Sequence, residues 1–154
     1  MVHPKPNRYT KRRIAEIQLE QAVKLLLTGD PVCALTLAGA AEEILGKMVA
    51  AKGLSTTLED WVAYERSMWD YAVPRAAAQG KAITIPNDKE LHRRMNHARN
   101  EFKHNERGKN SSVAAYYNWE AEDMILRAIK NFYKLFDKPP RSKLVRDWWE
   151  DTTL

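Results

Sequence analysis

The chain is poor in the residues that cross-link, span or interrupt. Its 154 residues include one cysteine, Cys33, so an internal disulfide is excluded and the expected compartment is the reducing cytoplasm. No apolar run approaches the roughly 20 residues that a bilayer crossing needs, so no membrane partner is expected. Residues 1–13 are basic and polar with no apolar stretch behind them, unlike a secretory leader. There is no phosphate-cradling glycine loop, no nucleophile elbow, no internal repeat and no low-complexity linker. A strand series is missing too. Residues 82–85 (Ala-Ile-Thr-Ile) can extend, but one isolated strand has nothing to pair with.

What is present is globular. With 44% apolar and 29% charged residues, the chain is too hydrophobic for disorder, and its length suits one domain with a real core. We expect a single domain over 1–154, with a basic N-terminal arm (1–13) and a C-terminal tail (137–154). The net charge is +5 and the isoelectric point about 9.3. Lys5, Arg8, Lys11, Arg12 and Arg13 all precede the first acidic residue, Glu16. Such an arm can hold phosphates, or it can be the solvated start of a helix.

The apolar spacing predicts an all-α, antiparallel bundle of about five helices plus a short C-terminal helix. The first helix covers about 9–27, with Ile14, Ile17, Ala22, Leu25 and Leu26 on its apolar side. Asp30 and Pro31 open the second, about 31–52, which reads as the most buried; Gly39 and the alanines around it signal close packing. Thr56 and Glu59 have capping-box spacing before a third helix, about 57–73, with Leu58, Val62 and Trp69 on one face. Residues 74–86 read as a connector. A fourth helix starts at Asn87 or Asp88 and runs to His104, a polar loop covers 105–111, and a fifth helix covers 112–136. Its stripe is Trp119, Met124, Ile125, Ala128, Ile129, Phe132 and Phe136, so its aromatics, like those of the third helix, read as core. Pro139-Pro140 ends it, and 141–150 adds a short terminal helix. Cys33 lies near a helix start, where a thiol pKa can be lowered, but burial among Ala and Leu is the expected reading.

Chemistry concentrates in residues 92–105, HRRMNHARNEFKHN. Leu91, Met95, Ala98 and Phe102 form one buried stripe at helical spacing. Asn96, His97, Asn100, Glu101 and His104 fall on the opposite side, and Arg99 flanks the stripe, from which its long side chain can snorkel. His92 and His97 read as surface residues. The Glu101-x-x-His104 pair matches one half of a di-iron bundle element, which must occur twice and face inward. It occurs once and faces away from the stripe, so neither a metal nor another cofactor is expected.

Arg99-Asn100-Glu101-Phe102-Lys103-His104 resembles the Arg-Asn-x-x-x-His signature of HEPN domains, helical bundles of toxins, phage-defence proteins and other RNA-cutting systems. The resemblance is sharp over this motif and loose over the whole architecture. It implies metal-independent cleavage of RNA by a homodimer that brings two motifs together. Arg99, Asn100 and His104 would be catalytic; His97, Glu101, Lys103 and Glu43 would support them; Lys11, Arg12, Arg13, Arg93 and Arg94 would bind RNA. An imidazole titrates near neutrality and can move a proton, and an arginine matches phosphate oxygens. Asn100 can hold the imidazole or a phosphate oxygen. Arg99 and His104 project about 140° apart on a regular helix, which a composite dimer site would relieve.

The resemblance also implies an antitoxin or nucleotidyltransferase partner. Some members carry a tyrosine two residues after the histidine, which that transferase modifies; here Glu106 stands there, a departure from the pattern. Glu42 and Glu43 resemble polar positions near the site in parts of the family, with pairing to surface basic residues as the competing reading. The alternative of another class is a non-catalytic HEPN-like module that binds nucleic acid, nucleotide or a protein partner.

Overall fold

A computed structural model describes residues 6–103 and 112–153. Among them the fold is all-α: α1 (Lys11–Leu27), α2 (Pro31–Ala51), α3 (Thr57–Ala78), α4 (Asp88–Met95), α5 (His97–Lys103), α6 (Tyr117–Phe136) and α7 (Lys143–Thr153). None of these helices is long and apolar enough to cross a membrane.

Local chemistry sets most of the starts. Thr10 caps α1 by accepting from Arg13 N at 3.1 Å, and Asp30 caps α2 by accepting from Cys33 N at 3.0 Å. Asn87 caps α4 in the same way, from Glu90 N at 2.9 Å. Thr56 and Glu59 form the expected capping box, with the Thr56 amide donating to the Glu59 carboxylate at 2.6 Å. Between α1 and α2 the chain turns at Gly29, whose φ of +87° would strain any side-chain-bearing residue.

The core is built by α2 and α6, which share the most extensive interface, with α1 packed on both. Ala34, Leu35, Leu45, Ile125, Ile129 and Phe132 are all fully buried, each large side chain contributing roughly 1.5–3 kcal/mol by leaving water. The buried face of α1 is Ala15, Leu19, Ala22 and Val23, rotated from the expected one so that Ile14 and Ile17 are only half-buried. The expected tail is part of the core: α7 buries Val145 completely and Trp148 nearly so.

Several expected boundaries differ. The third helix passes through Pro74 to Ala78, because the carbonyl that proline leaves unbonded, on Asp70, belongs to an exposed residue that water can serve. The expected fourth helix is two helices, broken at Asn96. The expected fifth begins at Tyr117, not Ser112, and residues 82–85 are not a strand. Trp119 is 64% exposed and Tyr64 67% exposed, so neither is core. On α3 only Thr57, Val62 and Ala76 are buried; this helix lies on the rim. Asn131 of α6 ties down its start, accepting from the Thr57 amide at 2.8 Å and the Thr57 hydroxyl at 2.9 Å. An Arg66–Asp88 ion pair joins α3 to α4.

Candidate functional site

The short helix α5 is held by charge. Asn96 ends α4 and starts α5: its amide donates to Arg93 O, and its carbonyl accepts from Asn100 N at 2.9 Å. The break is fixed from α6, where Arg127 is fully buried. One Arg127 nitrogen donates to the Asn96 side-chain oxygen at 2.8 Å and another to the Met95 carbonyl at 3.3 Å. Glu120, also on α6, accepts from the Ala98 amide at 2.9 Å, a carboxylate at the helix N-terminus, where the dipole favours it. Asn96 is therefore not on a free polar face, as its position on a regular helix suggested, but points to a buried guanidinium.

Arg99 is held as firmly. Its guanidinium lies 2.6 Å from a Glu43 oxygen and 3.5 Å from a Glu42 oxygen, and its side chain is 15% exposed. Gly39 makes room for it, since a Cβ there would sit 2.9 Å from Arg99 Nε. The close approach expected at Gly39 is thus a side chain reaching across α2. Beside the guanidinium opens a cavity of about 190 Å3, lined by Leu35, Thr36, Ala40, Glu43, Arg99 and Phe102. Phe102 stacks on Tyr117 at 5.7 Å between centroids, which fixes the far end of α5 to α6.

Burial sets the electrostatics. It pushes the Arg127 guanidinium down from its ordinary value, with Glu42 and Asp123 opposing the shift; an arginine still keeps its charge. Burial also pushes the Asp123 carboxyl up to about 6, against the pull of Arg127 and with repulsion from Glu120 added. Glu42 is buried, so α2 supplies a desolvated anion between two desolvated cations. The formal charges of Arg99, Arg127, Glu42 and Glu43 cancel.

The structure brings Arg99 and Glu43 together. His97, Asn100 and Glu101 are half-buried on the same short helix, with Glu101 in the field of Arg93. The Asn100 and His97 side chains make no hydrogen bond to another described residue. Lys103 closes α5; its side chain and the whole of His104 lie outside the described residues, as do Lys5 and Glu106. Among the described residues no cluster of three His, Cys, Asp or Glu is arranged to hold a metal.

The expected RNA contacts divide. Lys11 and Arg13 are exposed. Arg12 is not available in the same way: it lies over the Phe136 ring at 4.3 Å and within 3.6 Å of buried Glu16. Arg93 and Arg94 are exposed, but both pair with Glu90 at 2.9 Å. Cys33 is exposed rather than buried, and its hydrogen bond with Asp30 pushes the thiol pKa up, away from the reactive thiolate.

Sequence reasoning missed Arg127, Glu120 and Asp123. A signal for Arg127 existed: it stands three residues after Met124 and one before Ala128, inside the apolar stripe of α6. No family model matches the chain, and neither a curated protein nor a solved structure matches it.

Proposed function

We propose that the protein is a metal-independent endoribonuclease of HEPN type, acting on cytoplasmic RNA as a toxin or defence nuclease. The observation that carries the reading is Arg99, held by Glu42 and Glu43 at the wall of an open cavity, on a helix whose next residue is His104. A guanidinium has five N–H donors, so two carboxylates do not exhaust it. The RNA 2′-oxygen attacks phosphorus and gives its proton to a base, and the 5′-oxygen leaves with a proton. His104 serves as one of these groups and Arg99 steadies the charge on phosphorus. The products are a 2′,3′-cyclic phosphate and a 5′-hydroxyl end. Because the α2 carboxylates balance Arg99, the site gains from a second copy that adds its own Arg99 and His104 across a two-fold axis. Exposed Lys11, Arg13, Arg93 and Arg94 supply the phosphate contacts.

The test is cleavage of RNA in the presence of a chelator, with end-group analysis. His104→Ala is expected to slow it about 100- to 10,000-fold with the thermal unfolding curve unchanged. Arg99→Lys, which keeps a cation for Glu42 and Glu43, should also suppress cleavage; full activity in both variants, or a strict need for metal, sinks the mechanism. Charge cancellation at Arg99 favours one second reading, a module that binds nucleic acid, nucleotide or a protein partner without cutting. Silence of the wild-type protein on a broad RNA panel would select it.

A further inference from the structure

A second pocket, of about 460 Å3, opens between α3, the end of α4 and α6. It shares no lining residue with the cavity at Arg99, and its volume suits a small ligand, typically about 300–1,000 Å3. Two of its walls are aromatic rings held largely in water, Trp119 and Tyr64. Large rings at such exposure cost free energy unless something covers them. Trp61 adds a third ring, and Lys130 lies over it with the ammonium 5.2 Å from the centroid. One turn after Trp119, Asp123 lines the same pocket, and its carboxylate has no hydrogen-bond partner among the described residues. The pocket therefore offers stacking faces, a pair of acceptors with no protein partner among the described residues and a cation at the rim.

We propose that this pocket binds a guanine base, stacked on Trp119 with its N1–H and N2–H donating to the two oxygens of Asp123. An ionised carboxylate only accepts. Guanine alone among the four RNA bases presents two adjacent donors on its pairing edge; adenine and cytosine offer one beside an acceptor, and uracil one between two. Lys130 faces a phosphate attached to that base. The site goes beyond the ribonuclease reading and does not require it, since base binding and chain cleavage use different residues.

Titration follows from the neighbours. Arg127 and Lys130 of α6 favour the Asp123 anion and Glu120 of α6 opposes it; Glu65 and Tyr64 of α3 and Met95 of α4 line the same pocket. Burial outweighs the cations and places the Asp123 pKa at about 6. Guanine preference is thus expected near neutral pH and is lost as the carboxyl protonates below it.

The experiment is calorimetric and tryptophan-fluorescence titration of the full chain with GMP, AMP, CMP and UMP. GMP should bind about 10-fold or more tightly than UMP, the discrimination a bidentate base contact supplies. Trp119→Ala, at an exposed position, should weaken every nucleotide about 10-fold through lost stacking. Asp123→Asn should abolish the GMP preference and leave UMP binding unchanged. A short single-stranded RNA with one guanosine separates the sources: binding tighter than GMP assigns the base to a strand, and equal binding assigns it to a free nucleotide. Equal affinity for GMP and UMP in the wild type, or a wild-type preference retained in Asp123→Asn, overturns the proposal. Loss of RNA cleavage has no bearing on any of these readouts.

Discussion

The layer made by α1, α2, α6 and α7 and the layer made by α3, α4 and α5 are held by different physics. In the first, alanine, leucine, isoleucine and phenylalanine side chains are completely buried, and the interaction is non-directional and cumulative. In the second, α3 buries three residues over its whole length, and α5, which adds only Ala98 and the Phe102 ring to the apolar contacts, is held by Arg127, Glu120, Glu42 and Glu43. Stability resides in one layer and placement in the other. Chemistry that needs a group in a defined position belongs where contacts are directional, and Arg99 and Asn100 lie there.

Substitutions can break that contrast, and the largest effect is expected in the core. Phe132→Ala should cost about 3–5 kcal/mol in urea unfolding, whereas Tyr64→Ala on α3 should stay within roughly 0.5 kcal/mol. Similar costs at the two sites would show that the layers do not differ. Next comes Arg127→Ala, which removes a buried cation from the field of Glu42 and Asp123 and the donors to Asn96 and Met95, and should cost about 3 kcal/mol. Hydrogen exchange should register it first at the amides of α5, and only later in α2.

The Asp123 carboxyl sharpens the contrast through pH. Its folded pKa is raised above the ordinary 3.8 to about 6, so the folded state binds this proton more tightly than the unfolded chain. Its contribution is fully present below about pH 4 and lost as pH rises through about 6. Asp123→Asn is therefore expected to raise the melting temperature near neutral pH and to leave it unchanged in acid. A shift of equal size at both ends would mean that the carboxyl is not desolvated.

A small stability effect with a larger effect on placement belongs to Gly39→Ala. Alanine favours the helix by about 1 kcal/mol, but its Cβ would press on Arg99 Nε. The net change should stay within roughly 1 kcal/mol, while the proposed RNA cleavage should fall as Arg99 is pushed from the grip of Glu42 and Glu43. Unchanged cleavage would mean that the placement of Arg99 does not matter.

How far the sequence could be read follows the same division. The starts of α2, α3 and α4 were legible where a cap is local: Asp30, Thr56 and Asn87 each bond a backbone amide three residues on. The stripe of Leu91 and Ala98 was also legible, since a break of one residue keeps the apolar phase. The break itself was not, because its cause is Arg127, 31 residues away. Arg99 was singled out, yet its partners on α2 were visible only as two acids with nothing to choose between site and surface. Trp119 was misplaced because helical spacing cannot tell a ring that faces a core from one that faces a pocket.

The polar grip on α5 also bears on the order in which the chain folds. Apolar faces of α1, α2 and α6 can gather loosely and improve their fit afterwards, but a hydrogen bond from Arg127 to Asn96 exists only once both atoms are in place. Docking of α5 is then expected late, after the barrier. Mutations at Leu45 or Ile129 should slow refolding, whereas those at Glu120 or Arg127 should leave refolding nearly unchanged and hasten unfolding. A chain emerging during synthesis would thus acquire its hydrophobic centre first and the directional contacts of α5 last.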